Sequence, residues 1–166
     1  MPNETRSDFA ELGVPAPLVA SLAARGIDAP FPIQTKTLPD TLAGRDVLGR
    51  GKTGSGKTLA FALPLVARLS GVRRTPNRPT GLVLAPTREL ATQITATVAP
   101  LAEATGLTVT TIFGGVAQSR QVSALRAGAD IVVACPGRLE DLMRQNLISL
   151  DAVRVTVIDE ADHMAD

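Results

Sequence analysis

Tryptophan and tyrosine are absent from the 166 residues, and Phe9, Phe31, Phe61 and Phe113 are the only aromatics. A surface that grips single strands by stacking bases on exposed rings is therefore poorly supported. Cysteine and histidine occur once each. Cys135 has no partner for an internal disulfide and no companion ligands for a zinc site, a pattern that fits a reducing compartment, with the cytoplasm as the default. An excess of charge of either sign is also lacking. Seventeen Lys and Arg against sixteen Asp and Glu leave a formal charge of +1, so any polyanionic partner has to be met by a local basic surface. No apolar run reaches the length of a membrane span, and the polar stretch Met1 to Asp8 lacks the apolar core of an export signal. Repeats and low-complexity tracts are missing too.

What is present is the composition of a soluble globular domain, 45% hydrophobic and 20% charged, with room for one sizeable core. Short β-rich runs alternate with stretches of helical periodicity. Strands are expected at Asp46 to Gly49, Gly81 to Leu84, Leu107 to Phe113, Asp130 to Ala134 and Val153 to Ile158. Helices are expected over Lys57 to Leu69, kinked at Pro64, and over Thr87 to Ala104, Val116 to Ala127 and Gly137 to Gln145. This alternation predicts an α/β fold, a parallel sheet covered by helices on both faces. Loops leaving the C-terminal ends of such strands gather on one edge, where ligands bind. Two helices, Pro15 to Arg25 and Pro32 to Leu42, precede the first strand, so residues 1–42 read as an appendage to a main unit over 43–166. The Pro- and Arg-rich stretch Ser70 to Thr80 reads as an exposed loop, with Arg73, Arg74 and Arg78 solvated.

After the first expected strand comes Gly51-Lys52-Thr53-Gly54-Ser55-Gly56-Lys57-Thr58, which matches G-x-x-x-x-G-K-[ST] and leads into a helical run. Glycines let backbone N–H groups close round phosphate oxygens, and the helix N-terminus adds positive potential. In that arrangement Thr53, Gly54, Ser55 and Gly56 cradle the nucleotide. Lys57 reaches the β and γ phosphates and Thr58 can ligate Mg2+. A second acid is needed, and the run Val153 to Ile158 ends in Asp159-Glu160-Ala161-Asp162 on the same expected edge. Asp159 can hold Mg2+ through its water shell, and Glu160 can orient and deprotonate a water attacking the γ-phosphate.

Five elements in this order resemble the DEAD-box RNA helicases: GKTGSGKT, then Pro86-Thr87-Arg88-Glu89-Leu90, Gly114-Gly115, Cys135-Pro136-Gly137-Arg138 and Asp159-Glu160-Ala161-Asp162. The resemblance runs from Phe9 to Asp166 and implies a RecA-like P-loop domain that uses ATP and Mg2+. It also implies a Q motif over Gly26 to Gln34, with Phe9 upstream of it and Gln34 reading adenine. A carboxamide can pair with adenine's donor and acceptor in a way guanine does not allow. The chain departs from the pattern at Ile27, where an aromatic is usual, and at Phe31, where Thr or Ser is usual; both predict weaker base affinity. Gln34 could instead cap its own backbone.

The same resemblance assigns the RNA sugar-phosphate backbone to Pro86, Thr87, Arg88, Gly115, Pro136, Gly137 and Arg138, and coupling between domains to Asp162. Contacts of this kind are independent of sequence, and the 2′-hydroxyl distinguishes RNA from DNA. Read singly, Arg88 and Arg138 could be solvated or paired with Glu89 and Glu140. Cys135 stands where Thr is usual, which removes a hydroxyl near the backbone. His163 fits either the phosphate-coupling network or a solvated helix position, and Phe61 and Phe113 read as core.

The family's helicases continue beyond the acidic motif to a Ser-Ala-Thr strand and a second RecA-like domain. The 166 residues are thus expected to be C-terminally incomplete. They would supply the ATP, Mg2+ and part of the RNA site without unwinding a duplex alone, since the arginine finger comes from the second domain. Loss of a central strand predicts marginal stability or aggregation. The alternative is a non-catalytic module that binds nucleotide or RNA.

Overall fold

The computed structural model describes residues 8–27, 42 and 55–159. In chain order they form α1 (Asp8–Glu11), α2 (Ala16–Ala24), α3 (Ser55–Leu69), β1 (Gly81–Leu84), α4 (Arg88–Ala104), β2 (Val109–Ile112), α5 (Ser119–Ala127), β3 (Ile131–Ala134), α6 (Pro136–Arg144) and β4 (Val155–Ile158). The expected strand at 46–49 and most of the expected helix at 32–42 lie outside the described residues.

The four strands form one sheet in the order β2-β3-β1-β4, and every pair is parallel. Strand residues alternate between two apolar clusters, as the pleat requires. Val83, Ile131 and Val133 join α1 to α4 through Phe9, Leu18, Leu22, Leu63, Ile94 and Val98. Leu82, Val132 and Ala134 face the other way, onto α5 and α6 through Leu125, Leu139 and Leu142. The continuous Ile131-Val132-Val133-Ala134 run is buried on both faces, which is the pattern of a central parallel strand.

Several expected boundaries shift for identifiable reasons. Thr87 is not helical but caps α4, its Oγ1 accepting from Leu90 N at 3.1 Å. The helix expected from Val116 starts at Ser119, because Gly115 takes φ +81° and the chain turns before it can coil. Helix α3 runs without interruption through Pro64. The largest correction concerns the 70–80 loop. Arg74 is not simply solvated: its Nε and Nη2 donate to Asp130 Oδ2 at 3.1 and 2.8 Å, and Nη2 also donates to the Gly106 carbonyl at 3.1 Å. Asp130 is buried at the start of β3, and the same oxygen accepts from Thr108 N at 2.9 Å. Asn77, in the left-handed region at φ 62°, adds a second seam. Its N donates to Leu125 O at 2.8 Å, its Nδ2 donates to Leu147 O at 2.9 Å, and its carbonyl accepts from Ser149 N at 2.9 Å. The loop thus binds together the N-terminal edge of the sheet, opposite the edge that carries the motifs.

Candidate functional site

Parallel pairing aligns the last residues of the four strands in one row, Ile112, Ala134, Leu84 and Ile158. Hydrogen bonds carry the alignment one residue further: Cys135 N donates to Ile112 O at 2.8 Å, Ala85 N to Ala134 O at 2.9 Å and Asp159 N to Leu84 O at 3.0 Å. Asp159, Pro86, Phe113 and Pro136 therefore leave the sheet along the same edge. That is the edge expected from the sequence to carry the acidic motif and the three loops assigned to an RNA backbone.

Helix α3 reaches this edge from the opposite direction. Its final turn packs on the start of β1, where a Cβ on Gly81 would come within 3.1 Å of Leu65 Cδ1 and closer still to Leu69 Cδ1. A helix of 15 residues spans about 22 Å and a strand of four about 13 Å. The first turn of α3, holding Ser55, Gly56, Lys57 and Thr58, thus lies towards the C-terminal edge, and α3 packs against β4 through the shared core. Thr53, Gly54, Gln34, Glu160 and Asp162 lie outside the described residues. Phe9 is fully buried with Leu18 and Leu22 in the core.

Asp159 is 3% exposed at the end of β4. A buried carboxylate and the hydroxyl of Thr58 are hard oxygen donors of the kind that holds Mg2+ with water and phosphate oxygens. Among the described residues no group of three His, Cys, Asp or Glu side chains comes together.

Two further helices present their N-termini here, α4 after β1 and α6 after β3, one on each face of the sheet. Their first amide N–H groups lack partners within the helix and suit phosphate oxygens. Thr87, Arg88 and Gly137 are exposed, while Pro86, Pro136 and Arg138 are half-buried. Arg88 lies with its Cζ 4.8 Å from the centre of the Phe113 ring, a cation–π contact, so the half-buried Phe113 both packs against the core and carries a cation. A Cβ on Gly115 would stand 2.9 Å from Arg88 Nη1. Arg138 does not pair with Glu140: its Nη2 donates to Val116 O at 2.8 Å and its Nη1 to Gln121 Oε1 at 3.1 Å.

Cys135 caps α6 with no side-chain hydrogen bond, in contrast to Thr87 on α4. Burial raises the thiol pKa, and the Arg88 charge opposes that rise in part. Gln121 escaped the sequence reading, because a glutamine at helical spacing carries no signal; only the packing of α5 shows its buried carboxamide to be shared between two loops.

The start of α3 with Lys57 and Thr58, an acid at the end of β4 and two further helix N-termini share one edge of a parallel sheet, the layout of the P-loop class of α/β folds. The DEAD/DEAH box helicase family model matches residues 31–166. The chain belongs to the DEAD/DEAH box helicase family. It is 43% identical to proteins named ATP-dependent RNA helicase RhlB from Sodalis glossinidius, over 98% of this chain and 40% of that protein, and from Escherichia coli, over 98% and 39%. Among solved structures it is similar to the RNA helicase Prp28 of Chaetomium thermophilum bound to ADP, with a TM-score of 0.88 and 42% identity over 100% of this chain and 41% of that one. Yeast Prp28, a DEAD-box splicing factor, gives a TM-score of 0.82 at 35% identity over 92% and 38%. The chain therefore spans about 40% of the length of its relatives.

Proposed function

We propose that this chain is the ATP- and RNA-binding part of an ATP-dependent RNA helicase in which hydrolysis is coupled to local separation of RNA duplexes. The observation that carries the reading is the single row of strand ends, which sets Asp159 and the loops after β1, β2 and β3 on the edge towards which α3 begins. The names of the relatives and the family model support the same reading. ATP is the nucleotide, with Gln34 selecting adenine and Phe9, which is buried in the core, belonging to the same base-binding segment.

In this proposal Thr53, Gly54, Ser55 and Gly56 enclose the phosphates and Lys57 neutralises the β and γ oxygens. Thr58 and Asp159 hold Mg2+. When bound, the ion offsets charge building on the transferred phosphoryl group. Glu160 orients the attacking water and takes its proton, and Asp162 passes the state of the γ-phosphate to the rest of the protein. Pro86, Thr87, Arg88, Gly115, Pro136, Gly137 and Arg138 hold one RNA strand by its backbone, without reading bases. Residues 1–42 supply base recognition and 43–166 the phosphate and RNA site. The arginine finger and the closing half of the cleft come from a second RecA-like domain, so the 166 residues alone bind but do not unwind. The single cysteine fits a cytoplasmic setting, and no described helix is long and apolar enough to cross a membrane.

Binding of fluorescent ATP and GTP analogues with Mg2+ tests the nucleotide half directly. The expected result is an ATP-selective signal that disappears in Lys57→Ala. Equal binding by the two proteins, or no preference between the analogues, refutes it. RNA-stimulated ATP hydrolysis and unwinding by the full-length protein, compared with DNA, tests the rest.

A further inference from the structure

Gln121 lies on α5, outside every motif named above, and its polar side chain is only 8% exposed. Both ends of its carboxamide are used. Nε2 donates to the Phe113 carbonyl at 3.0 Å, and Oε1 accepts from Arg138 Nη1 at 3.1 Å. The orientation of the amide is fixed by its neighbours, because a carbonyl requires a donor and a guanidinium requires an acceptor. The same guanidinium donates through Nη2 to Val116 O at 2.8 Å. Phe113 and Val116 flank Gly114-Gly115 on the loop leaving β2, whereas Arg138 belongs to the first turn of α6, leaving β3. One buried amide therefore joins two of the loops that the proposed function assigns to RNA.

We propose that Gln121 is a positioning residue for RNA binding: it holds the Arg138 guanidinium against the glycine-bearing loop, with its remaining N–H donors directed at the bound phosphates. The inference rests on the RNA-binding reading given above. A guanidinium tethered at two nitrogens has fewer rotamers to lose on meeting RNA, and pre-ordering a long side chain strengthens binding by about ten-fold. Gln121 carries no charge, so any effect of its removal on the salt dependence of binding has to pass through Arg138.

The test is equilibrium binding of a fluorescein-labelled oligouridylate to the full-length protein with a non-hydrolysable ATP analogue, over a range of salt concentrations. Gln121→Met keeps the buried volume and removes both hydrogen bonds. Its affinity is expected to fall about ten-fold, and the slope of log affinity against log salt to become shallower by about 0.7, the share of one phosphate contact on a single strand. Arg138→Gln should give the same change of slope, and the double variant should fall no further than either alone. Arg138→Lys keeps the charge, but one ammonium cannot match the fork that spans Gln121 and Val116; it should lose affinity as Gln121→Met does, and it decides the matter if Gln121→Met does not fold. Normal binding by Arg138→Lys, affinity of Gln121→Met within about two-fold of the unaltered protein, or a loss at unchanged slope each overturns the positioning role and leaves RNA binding intact. Failure of the unaltered protein to bind the oligouridylate overturns the RNA reading and this inference with it.

Discussion

Replacing Gly115 by alanine should damage the protein in a way that replacing its neighbour Gly114 does not. Gly115 has φ +81°, a conformation that costs an L-residue about 1–2 kcal/mol. Its new Cβ would stand 2.9 Å from Arg88 Nη1, so the guanidinium has to leave its position 4.8 Å over Phe113, forfeiting about 0.5–1 kcal/mol of cation–π attraction. Against this, alanine reduces the freedom of the unfolded chain, which returns roughly 0.4–1 kcal/mol. The net loss is about 1–2 kcal/mol, or about 2–8 °C in midpoint for a domain of this size. Gly114 has a negative φ and no atom within 4 Å of its added Cβ, so Gly114→Ala should be neutral or slightly stabilising. Circular dichroism melts give the stabilities, and oligouridylate binding reads the displacement of Arg88 as a loss confined to Gly115→Ala. Two alanine variants that melt within about 1 °C of each other and bind RNA alike would refute the reasoning, because the strain and the collision both belong to one of the two glycines.

Further outcomes follow from the same structure. Asp130→Ala removes the acceptor shared by Arg74 and Thr108 in a buried setting and should cost about 2–3 kcal/mol in urea denaturation; a change below about 0.5 kcal/mol would show the clamp to be idle. Cys135→Thr supplies the hydroxyl that α6 lacks at its cap and should raise stability by about 0.5–1 kcal/mol, which a matched thermal melt would detect. The Cys135 thiol, its pKa raised by burial, should react slowly with iodoacetamide at neutral pH. Arg88→Ala should move its pH–rate profile further upward, since the opposing positive charge is gone. Between the unfolded thiol's ordinary range and its raised native value, the native state holds more protons than the unfolded one. This thiol's contribution to stability is therefore complete below that range and declines as pH rises through it, a trend that Cys135→Ser should flatten.

Local chemistry along the chain determined much of this protein. The glycines and Lys57 match the P-loop pattern by their spacing alone, and the Val155 to Ile158 run followed by Asp159 announces a strand that delivers an acid to a sheet edge. Alternation of apolar strand and helix is itself enough to imply parallel pairing, and parallel pairing is enough to bring the motif loops together. Strand order, and everything that depends on which surfaces meet, was decided only by the tertiary structure. Arg74 looks like any arginine in a proline-rich loop until Asp130, fifty-six residues away, is buried beside it. Cys135 and Thr87 occupy equivalent caps, but only folding shows one helix start satisfied by a side chain and the other not. Gln121 is the plainest case: its role rests on Phe113 and Arg138, which come from different strands, and no periodicity in a single helix records what two neighbouring loops will ask of one amide.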